Sequence, residues 1–394
     1  MQTSDYHKEQ FWLVGGLVER ESKQNNLFTR FPNQYNPYVL VFMRIAHITW
    51  SLGTGGIQTM LTEIANIHAQ EGHEVGIFVV DSIVSEYLKS KLDSRIKVFF
   101  MNRTRGKKQI LPFIKLNWAI YRFKPNIIHS HAGNVAKVLL SKAPKIATIH
   151  GLQCNPSNYT RYQSLYAISK AIQQEWKENG IDYVKLIENG INSDSITTKN
   201  NFVRNKTIHI VIVSRIIFKV KGQDIVAHAL AKVKKKIASH SNLNGYKFVA
   251  HFFGDGGDTE RLRQLAIELN IEENIVIEGL RDRGWIFEHL CDYDLFVQAS
   301  RREGFGLTVA EACAAKLPVL VSDIAGPMEI IDNGKLGMWF KSEDADDLAN
   351  KLLFFAINGC DRTQIETAYD FTKQHYDIKK TAYKYLNEYK KYCR

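Results

Sequence analysis

From Met43 onward, short apolar runs alternate with stretches whose apolar positions recur at helical spacing. Residues 43–49 (Met-Arg-Ile-Ala-His-Ile-Thr) open the series, and runs at 75–80, 126–129 and 145–149 continue it, with an amphipathic stretch at 58–71. A second series follows at 208–213, 248–253, 274–278, 295–297 and 318–321. β-rich runs separated by helical periods are the rhythm of parallel, doubly wound α/β sheets. The pattern predicts two Rossmann-like domains, 43–192 and 207–370, facing each other across a cleft. The polar stretch 193–206 reads as the linker, and 371–394 as a C-terminal helix. Residues 1–42 are polar, rich in Asn and Gln, and show no period. They read as a disordered N-terminal extension, with Met43 as the natural start.

A chain of 394 residues exceeds one ordinary core, which agrees with two domains. Its five cysteines have no paired spacing, which points to a reducing compartment and no structural zinc. The net charge of +11 draws the protein to polyanions: nucleic acid, anionic lipid or phosphorylated substrates. No apolar run reaches the roughly 18 residues of a membrane span. The apolar stretch 11–18 is too short and too soon followed by Glu19-Arg20-Glu21 to read as a signal peptide.

The densest chemistry lies in Glu303-Gly304-Phe305-Gly306-Leu307-Thr308-Val309-Ala310-Glu311, after a strand and at the start of a helix. Its glycines let backbone approach a ligand, and amides at a helix start favour phosphate oxygens. Glu303 at the loop mouth and Glu311 about two turns on can accept hydrogen bonds from sugar or ribose hydroxyls. Arg215 and Lys221, just after the strand 208–213, supply charge for a diphosphate leaving group. Strand-end glycines recur at Gly254-Asp255-Gly256-Gly257 and at Gly53-Thr54-Gly55-Gly56. The latter is neither a phosphate-binding Walker loop nor a full dinucleotide fingerprint. His150-Gly151 closes the strand 145–149; His129 and His131 read as structural by default.

Taken in order, these motifs resemble the retaining glycosyltransferases of family 4, with the two-lobed GT-B fold. The match runs from Met43 to about Tyr389 and includes the E-x7-E block, Arg215 with Lys221, 318–323 and 329–331. The chain departs from the family at Lys316, usually glycine, and at Gln58, where an acid is common. The resemblance implies that Glu303 and His150 face the transferred hexose and that Glu311 faces the ribose. It places Gly254, Gly304, Phe305 and Gly306 around the donor and Gly55 and Gly56 at the donor diphosphate or the acceptor, and it returns the C-terminal helix 371–394 to the first domain. The implied activity is transfer of a hexose or related sugar from a nucleoside-diphosphate-sugar to a glycan or lipid-linked acceptor, with retention. It implies bacterial surface polysaccharide or lipopolysaccharide synthesis, on the cytoplasmic side. No Asp-x-Asp metal motif closes a strand at its end, so no cofactor or metal is expected, and the positive charges come from Arg215 and Lys221.

Three other readings stay open at this point: an epimerase or sugar phosphorylase on the same fold, a non-catalytic basic binding protein, and a glycan-binding scaffold. Nucleic acid is not an expected partner, because patterned aromatic and basic faces are missing. Residues 101–124 combine Arg103, Arg105, Lys107, Lys108, Lys115, Arg122 and Lys124 with Ile110, Leu111, Ile114 and Trp118, and contain no acid. This composition suits an anionic membrane surface. A helix packed on the first sheet is the favoured reading, because Pro112 interrupts the segment and the lobe needs helices there.

Overall fold

The structure, a computed structural model, describes residues 42–202 and 205–393. Apart from Phe42, the expected N-terminal extension lies outside the described residues. The first lobe is built on β1 (Arg44–Thr49), β2 (Glu74–Asp81), β3 (Lys97–Arg103), β4 (Ile127–Ser130), β5 (Lys145–Ile149), β6 (Ser164–Ala167) and β7 (Lys185–Leu186). They form one parallel sheet of order β3-β2-β1-β4-β5-β6-β7. The second lobe holds β8 (Thr207–Val213), β9 (Lys247–Phe253), β10 (Ile275–Gly279), β11 (Leu295–Gln298), β12 (Val319–Ser322) and β13 (Met338–Phe340). Its parallel order is β10-β9-β8-β11-β12-β13. Both sheets are doubly wound. Each has a switch point where the strand order reverses, between β1 and β4 and between β8 and β11, the position where such sheets bind ligands.

The apolar periods place most strands to within a residue or two. The segment 97–103 is the exception of consequence: it is an edge strand with a half-exposed burial pattern, so its period is faint. The helix that follows, Leu111–Phe123, carries Pro112 in its first turn, where no backbone N–H is lost. Pro112 therefore starts this helix; the expectation that it interrupts the segment is corrected.

One apolar cluster runs through both lobes. It joins Ile149, Ile172 and Trp176 of the first to Phe253, Phe305, Val309 and Ile330 of the second. The described part of the 193–206 stretch is tied to the second lobe: Thr197 N donates to Phe287 O at 3.0 Å and Lys199 N to Ala315 O at 2.8 Å. The chain crosses back near Tyr376. There Ile191 N donates to Tyr376 O at 2.7 Å and Ile378 N to Ile191 O at 3.1 Å. The last helix, Ile378–Lys390, then packs on the first-lobe helix Gly56–Gln70. It buries Tyr385 and Tyr389 beside Ile45, Ile127 and Tyr166. Each such aromatic, fully buried, contributes roughly 2 kcal/mol.

Candidate functional site

Beyond β8 the chain turns through Ser214 and Arg215 into the short helix Phe218–Lys221. Gly222 ends that helix at φ 65°, so close to the loop after β11 that a Cβ would fall 2.0 Å from Ala299 O. Only glycine fits there, and the approach sets Lys221 against the glutamate of that loop. Lys221 Nζ makes an ion pair with Glu303 Oε2. Gln298 Nε2 donates to the same oxygen at 3.1 Å, and the Thr308 hydroxyl donates to Gln298 Oε1 at 3.3 Å. Arg301 supports the arrangement from behind. It donates to both Asp224 oxygens at 2.8 Å, and its backbone N donates to Val220 O at 2.9 Å. Arg215 stands apart. Its side chain is exposed and has no ion pair among the described residues.

The glycines divide into two groups. Gly254, at φ 141°, packs on the Arg215 turn, where a Cβ would fall 2.0 Å from Ser214 O. Its amide is spent on Gly279 O at 2.9 Å. The residue shapes the turn, and this amide is committed within the lobe. Gly304 and Gly56 are the close-approach glycines. A Cβ on Gly304 would lie 3.2 Å from His150 O and 3.4 Å from Gly151 Cα, and one on Gly56 would lie 2.7 Å from Leu307 Cδ1. Gly55 caps the helix Gly56–Gln70 without a side-chain hydrogen bond, which leaves its first amides for a ligand. Gly306 caps the helix Leu307–Ala314. Phe305 points inward, buried edge-on against Tyr376 at a ring separation of 5.2 Å, so only its backbone can meet a donor.

Glu311 is buried and its partner is Arg283, which opens the helix Arg283–His289. Burial lowers the Arg283 guanidinium to about 10, against an opposing pull from Glu63 of the first lobe. Burial likewise raises the Glu63 carboxyl, with Arg283 opposing. Gly56, Glu63, Asn192, Arg283, Leu307 and Glu311 line a cavity of about 10 Å³ between the lobes, room for about one water. Glu303 and Glu311 thus have separate partners.

Across from Glu303 sits the end of β5. His150 and Gly151 back onto Gly304, and Arg302 reaches Gln153 of the first lobe. His150 is not alone. His150 Nε2 lies 3.0 Å from His131 Nδ1, and His131 Nε2 lies 3.3 Å from His47 Nδ1. Burial holds His150 and His68 at about 3 and keeps His47, His129 and His131 well below the ordinary histidine range. The rings are neutral at physiological pH. A second interlobe contact is made by Glu329, whose carboxylate accepts from Lys170 N at 3.0 Å and Ala171 N at 2.5 Å, at the start of the helix Lys170–Glu178.

Sequence reasoning missed Gln298, Arg283 and the supporting role of His131. The one available signal for the last was its place two residues beyond His129 at a strand end. Nothing in the sequence marks Arg283, which reaches Glu311 only through the tertiary fold.

Known proteins resemble the chain along the same lines. A family model described as Glycosyltransferase Family 4 matches residues 54–195, and one described as Glycosyl transferases group 1 matches residues 194–371. An uncharacterized glycosyltransferase of Methanocaldococcus jannaschii is 25% identical over 361 residues, covering 78% of this chain and 87% of that protein. The O-antigen biosynthesis glycosyltransferase WbnH of Escherichia coli is 28% identical over 320 residues, 76% of this chain and 86% of that protein. Among solved structures, a Rickettsia africae glycosyltransferase superimposes with a TM-score of 0.72 at 21% identity, over 90% of this chain and 99% of that one. Anabaena HepE, in complex with UDP and glucose, does so with a TM-score of 0.73 at 18% identity, over 89% and 100%.

Proposed function

We propose that this glycosyltransferase, a GT-B protein similar to family 4, moves a hexose or related sugar from a nucleoside-diphosphate-sugar onto a glycan or lipid-linked acceptor, with retention. The observation that carries the reading is the Lys221–Glu303 pair at the second lobe's switch point, directly opposite His150 and Gly151. As the anomeric C–O bond breaks, negative charge grows on the departing diphosphate. Lys221 and, from the rim, Arg215 are placed to meet it. Positive character grows on the sugar, and Glu303 and His150 are the side chains on its two sides. The cations are side chains, so the proposed reaction needs no metal ion.

The same reading places the protein in bacterial surface polysaccharide or lipopolysaccharide synthesis, on the inner face of the cytoplasmic membrane. Among the described residues, no helix is long and apolar enough to cross a membrane. The helix Leu111–Phe123, however, is apolar on both faces. Leu116, Ala119, Ile120 and Phe123 are buried, while Leu111 (59% exposed), Ile114 (59%), Trp118 (63%) and Tyr121 (73%) face outward. Asn117 binds Val138 O and Leu140 N, bringing the exposed Leu140 alongside. Arg105, Lys107, Lys108, Lys115 and Arg122 surround this face and are exposed. Apolar side chains ringed by cations suit the boundary of an anionic bilayer.

The test is a screen of nucleotide sugars, uridine diphosphates first, with purified protein and with lipid-linked and free glycan acceptors. Acceptor-dependent release of nucleoside diphosphate supports the reading. Conversion of the sugar without an acceptor, or dependence on inorganic phosphate, would replace it with an epimerase or a phosphorylase.

A further inference from the structure

Five imidazoles meet in the core of the first lobe, at the carboxyl ends of β1, β4 and β5. His47, His129 and His131 are buried, His68 of the helix Gly56–Gln70 stacks on His47, and His150 lies at the cleft end. His68 Nε2 donates to Ala382 O at 3.1 Å, and His129 is held on both nitrogens, by the Tyr389 hydroxyl at 2.5 Å and the Thr148 hydroxyl at 2.7 Å. The remaining three rings form a file, His150–His131–His47, whose two contacts use Nε2 of His150, both nitrogens of His131 and Nδ1 of His47. Its ends are open: His150 Nδ1 and His47 Nε2 are buried and have no partner among the described residues.

A neutral imidazole carries one N–H, so a file of three can run in only two directions, and all its protons shift together. In each direction His150 holds one tautomer and spends Nε2 inward, leaving its buried Nδ1 as the one ring nitrogen without a partner among the described residues. We propose that His131, backed by His47, is a positioning residue for the transfer reaction, fixing the ring plane in which His150 meets the sugar and tying its tautomer to that of the file. This rests on the reading that His150 faces the transferred sugar. The cluster also has the makings of a metal site, since His47, His129 and His131 bring ligand nitrogens within 4.8 Å of one another. Positioning is favoured over metal binding because both nitrogens of His129 are already committed to hydroxyls.

The full chain is tested in a double-mutant cycle with His150→Ala and His131→Leu. The His150→Ala variant examines the underlying reading: unchanged transfer turnover there removes it. With that reading intact, His131→Leu is expected to lower kcat about tenfold while nucleoside diphosphate affinity stays unchanged. In the His150→Ala background it is expected to cost less than about twofold more, because its effect passes through a ring already gone. Equal losses in both backgrounds overturn the proposal, as does a wild-type kcat in His131→Leu. His131→Gln, which keeps a hydrogen bond to His150, is expected to recover most of the turnover. Should neither variant fold, ¹⁵N spectra of histidine-labelled wild-type protein decide: a through-hydrogen-bond coupling between His150 Nε2 and His131 Nδ1 is expected, and its absence overturns the proposal. Stoichiometric zinc retained by the wild type and lost in His47→Leu would also overturn it, in favour of the metal.

Discussion

Lys221 and Glu303 neutralise each other across 82 residues of chain. With no donor present each charge is the other's counter-ion. In the proposed reaction a bound nucleotide sugar parts them, Lys221 turning to the diphosphate and Glu303 to the sugar.

That division of labour separates two variants. Glu303→Gln is expected to lower kcat by about a hundredfold or more while nucleoside diphosphate still binds. Lys221→Ala is expected to weaken nucleoside diphosphate binding about tenfold and to reduce turnover as well. Calorimetry with the diphosphate beside a transfer assay reads both. Near wild-type kinetics in the two variants would remove the site assignment.

Transfer is expected to continue in excess EDTA, since side chains supply the positive charge. Activity lost to chelator and restored by Mg²⁺ or Mn²⁺ would show that a cation joins Lys221 in the site.

Acid sensitivity follows from the buried histidines. Their folded values lie below the unfolded one near 6.5, at about 3 for His68 and His150. The unfolded chain therefore binds more protons between those limits. The stability these rings contribute is complete above about pH 6.5 and is lost as pH falls toward 3. Each ring removes about 1.4 kcal/mol per pH unit inside that window. Melting curves from pH 7.5 to 5 are expected to show a steep fall in Tm, and His68→Gln a shallower one. A flat profile would mean that the rings are charged or hydrated in the folded protein.

The exposed face of Leu111–Phe123 gives a lipid prediction with a control. Arg103 is unsuitable for charge reversal, because it binds Asp81 at 2.7 Å and lies over Trp50. Reversing Arg105, Lys107, Lys108 and Lys115 to Glu is expected to abolish sedimentation with anionic vesicles. Turnover on a water-soluble acceptor is expected to change little. Each cation near the surface contributes about 1 kcal/mol, reduced by salt. Wild-type indifference to anionic vesicles would end the membrane reading.

The strand rhythm and the order of the motifs were legible in the sequence because buried parallel strands are continuous apolar runs and the donor loops follow them directly. The Arg283–Glu311 pair and the file from His150 to His47 were not, because each joins side chains from different strands and helices. Gly254 shows the same limit from the other side. A glycine turn at a strand end reads as a donor-side loop, and only the fold shows that its first amide is bound to Gly279 O. The outward face of Leu111–Phe123 was half legible: composition named the residues, but only packing on β2 and β3 showed which ones are left over.

The helix Ile378–Lys390 fills the first lobe with Tyr385 and Tyr389 although it follows the whole second lobe in the chain. During synthesis the first sheet can pair long before these tyrosines leave the ribosome, but its histidine-lined interior stays unsealed until they do. The two lobes are consequently coupled in time as well as in space. The first half waits, partly wet, for the second to be made and folded, and a ribosome that stalls before residue 378 leaves a first lobe unable to finish.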